Sequence, residues 1–138
     1  MSSGVTVADG VSADFDAFKK NTSTSTYMIF KIDGSHVVEE SRSEDKNFET
    51  FLAELPADDC RYAVYSMDYT TDDGRPTNKI VFFTWVPDTA KVKSKMIYAS
   101  TVAAVVAAFG SLPIKIHATD MSEITLDIAQ AACKKGFT

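Results

Sequence analysis

The sequence predicts an α/β fold of the α+β type, with a central mixed five-stranded sheet sandwiched by helices in the order α-β-β-α-β-β-α-β-α. Two pairs of strand-like runs flank turns that contain Asp33-Gly34 and Asp73-Gly74, and Asp-Gly between apolar runs is a strong hairpin signal. The run 79–86 is almost continuously apolar, which predicts a central strand covered on both faces. A long helical pattern then leads to a fifth strand, and that crossover makes the sheet mixed.

The first half of the chain divides into two helices and one hairpin. Apolar residues repeat at intervals of three and four in 9–20 and again in 48–55, which predicts two amphipathic helices. Pro56 ends the second of them. Between the helices, the β-forming runs 27–32 and 36–40 predict the strands of the first hairpin.

The second half begins with a strand over 61–69, followed by the apolar strand, which Pro87 closes. Asp88 is the predicted N-cap of the segment that follows, because its short carboxylate can accept from free backbone N–H groups. A long helix is predicted over about 93–109, and Gly110 ends it.

An edge strand and a last helix complete the predicted fold. The strand covers 113–117 and carries a proline at its first residue, where no ladder hydrogen bond is lost. The last helix starts near Asp120. Asp120 and Glu123 have the N-cap and N3 spacing of a capping box, with Asp in place of the usual Ser or Thr.

The stretch 96–114 has no charged residue, as a membrane span would. However, it contains Ser100, Thr101 and Pro113, and much of the remainder is alanine. We therefore expect a buried helix that ends at Gly110 and no membrane span.

Length and charge limit the class of function. The 138 residues are expected to form a single domain over 1–138, and apolar and charged fractions of 45% and 24% are those of an ordinary globular chain. The formal net charge of −5 argues against nucleic-acid binding. Two cysteines make no disulfide framework and favour a reducing cytosol. The first residues lack the features of a signal peptide.

No catalytic constellation is visible in the sequence. His36 and His117 have no Cys or carboxylate at a metal-ligand spacing, and both are expected to be surface or half-buried residues. Cys60 and Cys133 have no Cys-x-x-Cys partner and are expected to be free and buried. Motifs for nucleotide, zinc-protease or serine-hydrolase chemistry are absent. The chain is therefore expected not to be an enzyme and to bind no metal.

Three lysines mark the start of the long helix. Lys91, Lys93 and Lys95 recur at every second residue, and no acidic residue lies between Asp88 and Asp120. Cations at a helix N-terminus are unfavourable for the helix itself. On an acidic chain this arrangement suggests a docking face for an acidic partner; the competing interpretation is an ordinary solvated helix terminus.

Four segments carry a resemblance to a known family. They are 81–90 (VFFTWVPDTA) with 93–100 (KSKMIYAS), 3–5 (SGV), 55–62 (LPADDCRY) and 119–123 (TDMSE). Together they resemble the actin-depolymerizing factor (ADF)/cofilin family over essentially the whole chain. The resemblance implies the ADF-homology fold, with the same element order.

The family implies a function in partner binding. A relative would bind actin monomers and filaments, favour the ADP form, sever and depolymerise filaments and hasten actin turnover, with no cofactor. Met96 would supply apolar contact in a cleft of actin, and Lys93 and Lys95 would pair with its carboxylates. The full monomer and filament face would comprise Ser3, Gly4, Val5, Lys93, Lys95, Met96, Asp120 and Glu123.

The resemblance also implies a filament-specific site and a regulatory residue. The site would comprise Arg75, Lys79, Lys134 and Lys135. Ser3 would be phosphorylated by a protein kinase, and a phosphatase would reverse the modification. Weak phosphoinositide binding, a monomeric state and a cytoplasmic, cytoskeleton-associated location would follow.

The chain departs from the family at several basic positions. Thr77 stands where an Arg is frequent, and Ala131 and Ala132 leave the last helix with few charges. The long helix carries only Val and Ala over 102–108, where relatives often carry charged residues. We therefore expect filament and lipid binding to be weaker, relative to monomer binding, than in typical relatives.

Two alternatives remain open from the sequence. A coactosin-like or glia-maturation-factor-like protein would share the fold but bind filament sides or the branching complex without strong depolymerisation. Ser3-Gly4-Val5 and Lys93-Ser94-Lys95-Met96 favour cofilin proper. The alternative from a different class is a small-molecule enzyme on an α/β scaffold.

Overall fold

A computed structural model of the chain describes residues 4–19, 25–110, 112 and 114–135. The strands are β1 (Thr6–Val7), β2 (Tyr27–Asp33), β3 (His36–Ser43), β4 (Arg61–Thr70), β5 (Pro76–Trp85) and β6 (Ile114–Ala118). The helices are α1 (Asp9–Lys19), α2 (Phe48–Glu54), α3 (Val92–Phe109) and α4 (Leu126–Lys135), and a 3-10 turn covers Met121–Glu123. The fold class and the predicted order of the main elements are confirmed.

The described residues form one mixed sheet of six strands, not five, in the order β1-β3-β2-β4-β5-β6. The strand that the sequence did not reveal is β1, which pairs in parallel with His36 and Val37 of β3. Two residues are too few for a periodic pattern, so β1 exists only through its partner. It anchors the N-terminal segment, since Thr6 N–H donates to the Ser35 carbonyl at 3.0 Å.

Helices cover both faces of the sheet. Alternate residues of β4 divide between the layers: Tyr62 and Val64 pack in the cluster with α1 and α3, while Ala63 and Tyr65 pack in the cluster with α2 and α4. The central strands are therefore buried on both faces, which explains their continuous apolar runs.

Helix α3 buries only one of its faces. Tyr98, Thr101, Val105 and Phe109 lie at helical spacing against the sheet, while the alanines between them are exposed. The expectation of a buried helix is therefore corrected, because only 22% of the residues in Val92–Phe109 are buried. Among the described residues α3 is the one helix long and apolar enough to cross a membrane, and here it packs on a sheet.

Glycine ends α3 as predicted. Gly110 has φ 82° and ψ −146°, a conformation that residues with a side chain rarely adopt, and its N–H donates to the Val106 carbonyl at 2.9 Å. The chain can then turn back toward β6, which pairs in parallel with β5.

Candidate functional site: the start of α3 and a groove beside α4

Helix α3 begins at Val92 without a side-chain cap. Its N-cap is Lys91, which makes no side-chain capping hydrogen bond. The prediction that Asp88 caps this helix is wrong. Asp88 lies in the preceding loop, where its N–H donates to the Thr119 carbonyl at 3.1 Å and its carbonyl accepts from Lys95 Nζ at 3.3 Å. Through Asp88, Lys95 is linked to the segment that leaves β6.

That segment forms the 3-10 turn, so the prediction that the last helix starts near Asp120 is wrong. The Asp120 carboxylate accepts from Ser122 N–H at 2.8 Å and caps the turn. The Glu123 carboxylate accepts from Thr119 N–H at 2.8 Å, one residue before the Asp120 N–H that a capping box would require. Helix α4 starts only at Leu126, and Thr125 Oγ1 accepts from Ile128 N–H at 3.2 Å.

These hydrogen bonds favour the ionised form of both carboxylates. The bonds from Ser122 lower the pKa of Asp120, and those from Thr119 lower the pKa of Glu123. Both carboxylates are exposed, but each already accepts a hydrogen bond from a backbone N–H of this segment. We infer that Asp120 and Glu123 fix the shape of the turn and thereby present its middle residue, Met121, which is 42% exposed.

The first turns of α3 present an apolar pair between lysines. Val92 and Met96 are 67% and 64% exposed and lie four residues apart, on one face of the helix. Lys93 is exposed and Lys95 is half-buried. Sequence reasoning selected Met96 but missed Val92 and Met121; the four-residue spacing of Val92 and Met96 was the available signal.

Tyr98 attaches this part of α3 to the sheet. Its hydroxyl accepts from Ile32 N–H of β2 at 2.9 Å, and its carbonyl accepts from the buried Tyr62 hydroxyl of β4. Burial raises the pKa of both tyrosines, so both hydroxyls stay neutral at physiological pH. Because both links lie within one turn of Lys95 and Met96, they set the position of those side chains over the sheet.

The loop before α3 rests on the segment 56–61. Trp85 Nε1 donates to the Pro56 carbonyl at 2.7 Å, and Thr89 Oγ1 donates to the Ala57 carbonyl at 2.8 Å. Arg61 pairs with Asp59 at 2.9 Å and with Glu40 of β3 at 2.8 Å. Burial opposes ionisation of Asp59, but hydrogen bonds from Arg61 and from Cys60 N–H hold its pKa below the usual value. The sequence analysis did not predict these hydrogen bonds and ion pairs.

The N-terminal segment lies beside the same helix. Val5 is buried in the cluster that contains Tyr98 and Val105 of α3, and Gly4 precedes it with φ 79°. The predicted residue Ser3 lies outside the described residues. The described parts of the predicted monomer face therefore converge on α3: Val5 through the core, with the exposed Gly4 next to it, and 120–123 through the Asp88 loop.

The predicted filament-specific residues surround a second region. Lys79 Nζ lies 3.4 Å from the Cys133 carbonyl of α4, and Lys134 and Thr77 line one groove of about 660 Å³. Arg75 lies at the tip of the β4–β5 hairpin, 3.2 Å from Asp73. Lys135 is the last residue of α4. The structure thus places Lys79 of β5 against the end of α4 that carries Lys134, with Arg75 in the turn of the same hairpin.

The residues considered for catalysis do not assemble. His36 and His117 are exposed on different strands, and no group of three His, Cys, Asp or Glu side chains within the described ranges could hold a metal. Cys60 and Cys133 are buried, and burial raises the pKa of the Cys60 thiol to about 11. Neither thiol has the low pKa that a nucleophile requires.

A helix anchored to a sheet that exposes an apolar pair between lysines is a surface suited to docking another protein. Residues 4–134 of this chain match the sequence family of the cofilin/tropomyosin-type actin-binding proteins. An actin-depolymerizing factor 9 of Oryza sativa subsp. japonica is 40% identical, with 94% of each chain covered. The crystal structure of Streptomyces griseoflavus cofilin superposes with a TM-score of 0.88 at 32% identity, covering 96% of this chain and 99% of that one.

The chain therefore belongs to the ADF/cofilin family of actin-binding proteins. Human coactosin-like protein also superposes, with a TM-score of 0.80 over 97% of this chain and 91% of that one, but at 16% identity. That likeness shows the shared fold alone and does not favour the coactosin-like alternative.

Proposed function

We propose that this chain, acting as one domain over 1–138, binds actin monomers and filaments and promotes filament severing and disassembly. The observation that carries the proposal is the start of α3, where Val92 and Met96 are exposed between Lys93 and Lys95 on a helix anchored to the sheet. Family membership supplies actin as the partner. The chain acts by binding and not by catalysis.

The proposed monomer face combines α3 with its two flanking segments. Met96, Val92 and Met121 supply apolar area, and Lys93 and Lys95 supply charge for acidic groups of actin. Gly4, Val5, Asp120 and Glu123 shape the margins of this face. Because the helix is already ordered by Tyr62 and Tyr98, binding need not pay for folding it.

The proposed filament-specific surface comprises Arg75, Lys79, Lys134 and Lys135. Thr77 lines the same groove as Lys134, so a residue at this position can reach the basic end of α4. With threonine here and alanines at 131 and 132, the surface carries less positive charge than one with basic residues at these positions. We propose weaker filament and phosphoinositide binding than in typical relatives.

Regulation and location complete the proposal. We propose that a protein kinase and a phosphatase act on Ser3, that the protein is a monomer, and that it works in the cytoplasm on the cytoskeleton. A preference for ADP-actin belongs to the same proposal. Pelleting with filaments, together with titration of labelled actin monomers, tests the proposed actin binding: a folded chain that binds neither form contradicts it.

The lysines at the start of α3 give the sharpest test of the monomer face. We expect Lys93→Ala with Lys95→Ala to weaken monomer binding at least tenfold, which corresponds to about 1.4 kcal/mol. The physical reason is that removing one member of an interfacial charge pair leaves the other unpaired. Lys46→Ala with Lys115→Ala removes the same charge from exposed positions outside this face and serves as the control. Unchanged affinity in a folded Lys93/Lys95 double variant would refute the assignment.

Ser3 is expected to switch binding off. A phosphate adds about −1.5 to −2 charges at neutral pH, which an acidic partner surface repels. Ser3→Asp and Ser3→Glu should therefore depolymerise filaments more slowly than the wild type, measured by the loss of pelletable actin. Ser35→Glu, at an exposed hairpin turn, is the matched control. Equal activity of the Ser3 variants and the wild type would argue against the switch.

Position 77 tests whether the filament surface is depleted in charge. We expect Thr77→Arg to increase the fraction of protein that pellets with filaments, because an arginine there joins Lys134 at the groove. Ala53→Arg adds the same charge on the exposed face of α2 and should change nothing. If Thr77→Arg has no effect while Arg75→Ala abolishes pelleting, the charge is supplied by Arg75 and the depletion hypothesis is wrong.

A further inference from the structure

Arg61, the first residue of β4, holds two acidic side chains at once. Its guanidinium donates from Nε and Nη2 to the two carboxylate oxygens of Glu40, at 2.8 and 3.2 Å. Nη1 donates to the Asp59 carboxylate at 2.9 Å and to the Cys60 carbonyl at 2.6 Å. Because the Arg61 side chain is 13% exposed, these bonds are better shielded from water than those of an ordinary surface ion pair. The guanidinium therefore ties residues 56–60 to strand β3.

A β-bulge in β3 directs Glu40 toward this arginine. Ile29 and Phe30 are neighbours in β2, but their partners in β3 are two residues apart, which leaves Glu40 as the extra residue. Because β2 lies between β3 and β4, Glu40 reaches across a whole strand to Arg61. Its carboxylate also lies 4.0 Å from Lys31 Nζ of β2. Bulges re-aim single side chains and are frequent beside functional sites.

The segment that Arg61 holds in turn carries the loop that leads into α3. Thr89 Oγ1 donates to the Ala57 carbonyl at 2.8 Å, and Asp59 attracts the ammonium of Lys91, the N-cap residue of α3. The first turn of α3 depends on this support, because its N-cap makes no side-chain hydrogen bond and the links of Tyr98 to the sheet lie one turn further along. A displacement of the segment would therefore reach the start of α3 through the loop.

We propose that Arg61 is a positioning residue for the binding of actin monomers. By holding its segment to Glu40, it fixes the loop that ends at Lys91, and this loop fixes the direction in which the first turn of α3 presents Lys93 and Met96. The inference rests on the proposed monomer binding, and Arg61 is not itself part of the monomer face. A binding face that is held in place before the partner arrives loses less conformational entropy on binding, so the loss of Arg61 weakens binding.

Replacement of the arginine by glutamine tests this role. Arg61→Gln should raise the dissociation constant for labelled actin monomers about fivefold to tenfold, because the segment is then no longer held to β3. Arg42→Gln is the matched control. It also removes an arginine that pairs with two carboxylates, but these belong to Glu39 of β3 and Asp14 of α1 and not to the segment before β4. It should leave the dissociation constant unchanged.

Two further measurements separate positioning from general stability. Phe51→Leu truncates a buried ring on the opposite face of the sheet from α3 and should lower the unfolding temperature, yet it should bind monomers like the wild type where every variant is folded. Lys95 N–H donates to the Lys91 carbonyl at 3.0 Å, so its exchange with solvent reports on the first turn of α3. In the free protein, Arg61→Gln should accelerate this exchange at least fivefold, whereas Phe51→Leu and Arg42→Gln should not.

A double-mutant cycle tests the connection through the loop. Thr89→Val removes the hydrogen bond to Ala57 and should also weaken monomer binding. Combined with Arg61→Gln, it should cost less than the product of the two single losses, because either change already frees the loop. Independent losses would overturn the connection through residues 57–61.

Two results would overturn the role of Arg61. One is unchanged monomer affinity in a folded Arg61→Gln variant; the other is an equal loss of affinity in Phe51→Leu, which would reduce the effect to one of stability. If the wild type binds no monomers, the proposed monomer binding fails. The exchange of the Lys95 amide needs no actin and still decides whether Arg61 positions the start of α3, since an unchanged rate in Arg61→Gln refutes it.

Discussion

The attachment of α3 to the sheet through Tyr98 is the constraint on which the docking face depends. The Tyr98 carbonyl accepts from the Tyr62 hydroxyl of β4, and its hydroxyl accepts from Ile32 N–H of β2, beyond the last residue pair of β2 and β4. A net hydrogen bond contributes about 1 kcal/mol, but leaving a buried partner unpaired costs about 1–3 kcal/mol. A shift of α3 along its axis would break both links, so the helix has one register, and its outward side chains have fixed positions.

The two halves of the candidate surface are built by different physical means. The start of α3 is a rigid helix whose exposed apolar residues lie between lysines, held by buried tyrosines on one side and by the Asp88 loop on the other. The groove beside α4 is formed where the end of that helix meets the turn end of the β4–β5 hairpin, and polar side chains and Lys134 line it. The first suits apolar docking with charged margins, and the second is a polar surface with positive charge at the end of α4.

Most of the fold was predictable because long elements carry strong periodic patterns. The helices, both hairpins and the stop at Gly110 follow from apolar spacing and turn residues. The failures have local causes. Strand β1 is two residues long and exists only by pairing with β3, and the Asp120–Glu123 spacing fits a 3-10 turn as well as a helix start. For the site, charge patterning identified Lys93 and Lys95, whereas the ion pair of Arg61 with Glu40 could not be found, because only the tertiary fold brings these two residues together.

The central claim is that actin monomers dock on the start of α3 and its flanking turn. Amide hydrogen exchange of the intact chain, with and without saturating actin monomers, tests it most directly. The account predicts added protection in 92–98 and 119–123, and no change in α2, which packs on the opposite face of the sheet from α3. Protection confined to α2, with 92–98 exchanging as in the free protein, would contradict it.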